Sequence, residues 1–400
     1  MPRTRRSGWS FRNDLRYHTI ALRAIVAVFT ISAALCAQSA LEKAVELAQH
    51  RHYAEARQSI ATQSEPAETP QRIAFHRLKA AIASGLGEPL AAVREMHAAL
   101  ALAPGNPKLL LATAVAEMQA GSLDDALRHA QSAGDTPAAR AIAGDIEDQR
   151  GDYAAAADAY QAAVSLAPGE EPYRVALAME LIQRQSFPAA IQLLDQSAPM
   201  FPRSAKLPTL LGIADYASGF SDEAIAEFAK AISIDPHFEP AYRCLAEILL
   251  ESSQPPKPDS VALLCRWNVF ACSAVHLRTA RERDDEAAIR KSIATLERAP
   301  SGNALAACEL ARGYEWTHQL LDARQHMETC VSLDPTPQNH YRLGLLYRKL
   351  GLSKLAEREM ALRGQLQAKM TEQTAAGLSA LQDFKLSSSN SPYGVRAKRN

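Results

Sequence analysis

Prolines at positions 168, 202 and 236 stand 34 residues apart, and the stretches that precede them repeat one another. "GDYAAAADAYQAAVSLAP" (Gly151 to Pro168) and "GFSDEAIAEFAKAISIDP" (Gly219 to Pro236) share a leading glycine, two alanines around an aromatic, and the closing proline. "QSFPAAIQLLDQSAPMFP" (Gln185 to Pro202) keeps Phe187, Ala190 and Leu194 in the same phase. The aliphatic pattern returns before Pro104 and again before Pro335. A fixed period of this length argues against one large core. Each unit is a supersecondary piece that can bury its apolar face only against its neighbours.

Each unit reads as two helices of about a dozen residues. Gly144, Gly212 and Gly344 precede Gly151, Gly219 and Gly351 by seven residues. The second glycine of each pair suits a turn that needs positive φ, and the closing proline ends the second helix. Abundant alanine and only 6% aromatic residues favour helix over sheet. Gly212 and Ala224 are small enough for close helix approach. Phe228 and Ala231 share a face and are expected, like Tyr160, to pack toward the next unit.

The period and this pattern resemble the tetratricopeptide repeat, a helix–turn–helix unit. The resemblance implies an all-α fold, a right-handed superhelical α-solenoid of antiparallel helix pairs. Units fall at about 37–70, 73–106, 107–136, 137–170, 171–204 and 205–238, so residues 38–238 form an N-terminal array of about six repeats. The first of them carries Arg51 where a turn glycine is expected. Residues 304–370 form a C-terminal pair of repeats, and 239–303 an irregular helical segment. Pro255, Pro256 and Pro258 place a break at 252–260.

The N-terminus is expected to be a signal rather than part of the fold. Arg3, Arg5, Arg6, Arg12, Arg16 and Arg23 precede the uncharged run Ala24 to Leu35 and the small-residue stretch "CAQSA". Residues 1–37, possibly to 40, are therefore expected to direct export to a periplasmic or extracellular location. The run is shorter than the ~20 apolar residues of a membrane span. No stable span is expected after signal removal, and a retained N-terminal anchor is the alternative. Residues 371–400 are expected to be a disordered, mildly basic tail.

Lys+Arg and Asp+Glu are balanced at 44 each, which argues against nucleic acid as a partner. The sequence contains no phosphate-binding glycine loop, no HExxH, no GxSxG and no pair of CxxC motifs. An enzyme, a cofactor and a small-molecule substrate are therefore not expected. His50, His52, His76, His97 and His129 are scattered, with no ligand spacing, and no metal site is expected. Beyond Cys36, five cysteines remain, and an odd count leaves at least one thiol free. On one straight helix Cys265 and Cys272 would be about 10.5 Å apart, too far to bridge. Pairing through the turn sets Cys308 opposite Met327 and leaves Cys330 nearly a turn away, so a bridge there needs a tight helix approach. The expected disulfide is Cys244 with Cys265 or Cys272; the other reading is that the cysteines are small buried packing residues.

In the family that the chain resembles, first helices line a concave groove, and set positions on them face it. Carried over, those positions include Leu111, Val115, Met118, Met179, Ile182 and Gln183. They continue with Ile213, Tyr216, Arg312, Trp316, Tyr341 and Arg348. The middle of this set is apolar and contains adaptable methionines; its far end is basic and aromatic. It contains no asparagine, which disfavours a carboxylate-clamp site of the kind that takes chaperone C-termini. The expected function is a noncatalytic scaffold that binds a protein or peptide partner in the groove. The alternatives are a redox- or metal-linked module using the cysteines of 244–330, or an accessory subunit to an envelope carbohydrate enzyme.

Overall fold

A computed structural model describes residues 38–251 and 255–368. The expected signal, Cys36, the tail beyond 370 and part of the proline-rich break lie outside the described residues. Among the described residues the only regular secondary structure is helix. The chain forms two compact units that divide between Glu180 and Leu181.

In the first unit the helices are α1 (Gln38–Gln49), α2 (Tyr53–Ile60), α3 (Thr69–Gly85), α4 (Pro89–Leu102), α5 (Pro107–Gln119), α6 (Leu123–Ser132), α7 (Pro137–Arg150) and α8 (Tyr153–Leu166). Helix α9 (Glu171–Gln183) runs across the division. The second unit contains α10 (Phe187–Ser197), α11 (Lys206–Ala217), α12 (Ser221–Ile234), α13 (Glu239–Glu251), α14 (Pro258–Trp267) and α15 (Val269–Glu282). It continues with α16 (Glu286–Leu296), α17 (Ala304–Trp316), α18 (Leu320–Leu333), α19 (Pro337–Lys349) and α20 (353–368).

Short turns join most of the helices into antiparallel pairs, and each of these turns, the α13–α14 connection aside, has one residue in the left-handed region. Gly151 takes φ 82° between α7 and α8, as a residue without a Cβ does at little cost. The same position holds Arg51, Gln185, Asp284 and His318 elsewhere, at φ 53–63°. Arg51 therefore keeps the turn that its side chain disfavours. In two pairs the second helix is capped at once, as where Asp152 accepts a 3.0 Å hydrogen bond from Ala155 N–H at the start of α8.

A common register links the two helices of a pair. In three pairs a glycine stands seven residues before the turn residue, and nine after it a large side chain lies against that glycine; elsewhere the same position holds alanine or leucine. A Cβ on Gly144 would fall 2.7 Å from the Tyr160 ring, and one on Gly212 would fall 2.7 Å from the Phe228 ring. Gly344 meets Met360 in the same way at 2.8 Å. Tyr160 and Phe228 are fully buried, so each fills the space its own repeat's glycine leaves open. The sequence pattern points both toward the next unit; in the structure each ring is seated on the glycine of its own repeat.

The interior is a series of small clusters, as a stack of pairs requires. Phe75, Leu78 and Ile82 of α3 join Ala44 of α1 and Ala56 and Ile60 of α2. The other face of α3, with Ala80 and Ala83, joins Ala92, Met96 and Ala99 of α4 and Leu109 and Ala116 of α5. In the second unit one cluster extends from Ala274 on α15 to Ala356 on α20. Burying each large aliphatic side chain contributes about 1.5–3 kcal/mol.

Residues 239–303 resolve into two helix pairs. Helices α15 and α16 form an ordinary hairpin, with Asp284 at φ 53° and Asp285 accepting from Ala288 N–H at 3.0 Å. Helices α13 and α14 flank the proline-rich segment, and Tyr242 of α13 stacks on Trp267 of α14 with ring centroids 5.0 Å apart.

Candidate partner-binding surface

First helices of successive repeats lie side by side, and polar contacts one period apart record it. Ser84 at the end of α3 donates to Gln119 at the end of α5 over 2.6 Å. Tyr216 of α11 donates to Glu251 of α13 over 3.2 Å. Lys349 Nζ of α19 lies 2.5 Å from Glu315 Oε1 of α17. The separations along the chain are 34–35 residues, so equivalent positions form a ladder across each unit.

The groove residues expected from the sequence divide into two groups. Val115, Met118 and Ile213 are 5%, 8% and 6% exposed and belong to the interior, contrary to the expectation. Val115 and Met118 share a buried cluster with Ile142 and Ile146 of the next first helix. At this close spacing the adjacent first helix covers the groove-ward position. Leu111, Met179, Ile182 and Gln183 are half-buried, as are Tyr216, Arg312, Trp316 and Tyr341, and Arg348 is exposed.

In residues 181–368 the surface of the first helices is aromatic and charged. Burial, reinforced by the Glu251 charge, raises the Tyr216 phenol far above its ordinary value, so it remains a donor. Glu309 of α17 is buried and pairs with Arg312 and, at 3.6 Å, with Arg281 of α15. Burial lowers the Arg281 guanidinium below its usual value against the opposing pull of Glu309. The Arg363 guanidinium lies 4.5 Å from the centre of the Tyr341 ring. Glu251, Glu309 and Arg281 had no part in the sequence-based set; aligning each first helix one period along would have placed them beside its members.

The cysteines pair differently from the expectation. Cys244 is buried and free, and Cys265 is bonded to Cys272 with Cα atoms 4.7 Å apart. These two cysteines are not on one straight helix. Asn268 adopts extended φ −148°, ψ 117° between α14 and α15, and its side chain accepts from Phe270 and Ala271 N–H at 2.8 and 3.1 Å. The chain doubles back there and brings the two sulfurs together. Cys308 and Cys330 form a second disulfide, with Cα atoms 4.8 Å apart. They stand ten residues before and twelve after His318, one helical turn further along the register that sets Tyr160 on Gly144. The expected match of Cys308 with Met327 assumed a pairing centred nearer the first helix.

The histidines also prove less scattered than the sequence suggests. His97 of α4 and His129 of α6 converge on Glu117 of α5. His76 bridges Glu95 and Glu65 at 2.7 and 3.2 Å. His50 and His52 flank the first turn and are exposed.

Tetratricopeptide-repeat family models match residues 78–136 and 138–170. The sequence has no match among curated proteins. Among solved structures, a tetratricopeptide-repeat protein from Parabacteroides merdae is 15% identical, covering 71% of this chain and 98% of that one at a TM-score of 0.44. Pseudomonas aeruginosa pilF is 15% identical over 53% of this chain and 97% of its own, with a TM-score of 0.38. YrrB, described as a TPR protein with an unusual peptide-binding site, is 17% identical over 48% and 96% at 0.35. The repeat frame and the matched family make this chain a tetratricopeptide-repeat protein, an all-α solenoid. As a class such proteins are protein–protein interaction scaffolds. No helix among the described residues is long and apolar enough to cross a membrane.

Proposed function

We propose that this chain is an exported, noncatalytic scaffold that binds a protein or peptide partner along the first helices of residues 181–368. The supporting observation is the ladder of first-helix side chains. Tyr216, Trp316 and Tyr341 offer aromatic area, and Arg348 and Lys349 offer charge, on helices whose apolar faces are already committed to the core. Aromatic and arginine anchors are the residues that most often dominate binding energy. The mixture favours an extended or helical peptide with acidic and apolar positions. Two disulfides fit an oxidising compartment, which supports export.

Affinity capture from envelope extracts with the wild-type chain and with Tyr216→Asp, Trp316→Ala and Arg348→Glu variants tests the reading. Partners should be lost from at least the Trp316 variant. Retention of the same partners by all three means that the binding surface lies elsewhere. A redox- or metal-linked role of the cysteines has one observation in its favour: Cys265 Sγ lies 3.9 Å from His276 Nε2. Thiol counting on native protein decides it, since a permanently oxidised pair carries no such role.

A further inference from the structure

Glu117 occupies a position that the scaffold role does not explain. Its carboxylate is 1% exposed, in a helix otherwise dedicated to apolar packing. His97 Nε2 lies 2.6 Å from one carboxylate oxygen and His129 Nδ1 lies 2.7 Å from the other. The two rings stand edge to face, their centres 6.0 Å apart. Three successive helices, α4, α5 and α6, supply one residue each.

Buried Glu227 has Lys230 Nζ at 3.3 Å, and two further carboxylates also have a cation beside them. Glu309 has Arg312 and Arg281, and Glu95, which meets His76, also has Lys79 Nζ at 2.5 Å. Among the described residues no lysine or arginine is paired with Glu117; its partners are the two imidazoles. Each imidazole carries a ring nitrogen that can serve as a metal ligand, so the polar partners of this buried carboxylate are themselves ligand groups.

We infer that His97, Glu117 and His129 form a binding site for a divalent transition-metal ion of the zinc type. Two imidazole nitrogens and a carboxylate are a donor set that such ions take, with a fourth position left for water. Donors around a tetrahedral ion at about 2.0–2.2 Å stand about 3.4 Å apart. The three donor atoms here already lie within 4.8 Å of one another, so ligation requires small side-chain shifts rather than movement of a helix. The His97 side chain is 51% exposed and provides the way in for the ion and for the water ligand. On ligation each ring presents to the metal the lone pair of the nitrogen that faces Glu117 and carries its N–H on the other nitrogen. The ion would tie α4 of one repeat to α5 and α6 of the next.

Zinc titration of the chelator-treated full-length chain, with its disulfides intact, tests this by calorimetry. One equivalent should bind. His97→Ala, at a half-exposed position where folding is not at risk, and Glu117→Gln should each weaken binding at least about tenfold. The Cys265→Ser/Cys272→Ser variant should bind as the wild type does. Cobalt in place of zinc should show no thiolate-to-metal absorption band. Failure of the wild-type chain to bind zinc overturns the assignment, and so does binding that His97→Ala leaves unchanged.

Discussion

Helix pairs α7–α8 and α17–α18 have one register and are joined by different chemistry. In the first, Gly151 makes the turn and Tyr160 lies on Gly144, its hydroxyl donating to Asp145 over 2.6 Å. In the second, His318 makes the turn at φ 62° and a disulfide joins Cys308 to Cys330 one helical turn further out. Both devices fix how far apart two antiparallel helices stand. The tyrosine does so by filling a gap; the cysteines do so by a bond that persists only where thiols are oxidised. A repeat frame therefore constrains geometry at set positions and leaves the means of meeting it open.

Removing the tyrosine should cost the most. Tyr160 is 1% exposed, and truncating a buried aromatic typically costs about 3–5 kcal/mol. Tyr160→Ala should therefore strip hydrogen-exchange protection from α7 and α8. Local exchange is the proper readout, because a repeat array need not unfold in one step. Protection that survives the change would mean that the glycine contact contributes little. Next comes the second device. Closing a loop between residues 22 apart is worth about 3 kcal/mol, so Cys308→Ala/Cys330→Ala should loosen α17 and α18 by about that amount and leave α7 and α8 untouched. Equal loss of protection in both pairs would refute their independence.

The frame was legible because its signals are local. A glycine, an aromatic nine residues later and a proline at the end recur in the chain whatever lies around them, and the helix pairs followed. The disulfide between Cys265 and Cys272 was hidden because "RWNVF" contains neither proline nor glycine. Helical patterning runs through Asn268, and only the extended backbone there separates α14 from α15. The candidate surface was half legible. Position along a first helix predicts which side chains point toward the groove, but not whether the neighbouring helix covers them, as it does Val115 and Met118. His97, Glu117 and His129 follow no ligand spacing, being 20 and 12 residues apart on separate helices. Their convergence depends on how one repeat stacks on the next.

A subtler change concerns the turn itself. If His318 and Gly151 adopt the same backbone, the two positions should respond to substitution with opposite signs. A side chain in the left-handed region costs about 1–2 kcal/mol, while glycine adds freedom to the unfolded chain that offsets about half of this. His318→Gly should thus stabilise α17–α18 by about 0.5–1 kcal/mol, and Gly151→Ala should destabilise α7–α8 by about 1 kcal/mol. The histidine is exposed, so no lost packing obscures the first change. No Cβ contact arises within 4 Å at Gly151, so steric crowding does not obscure the second. Both are measured as shifts in local exchange free energy at fixed pH with the disulfides intact. Opposite signs would mean that backbone conformation alone decides the residue at the turn. Destabilisation by both would mean that His318 makes a contribution beyond the turn it closes.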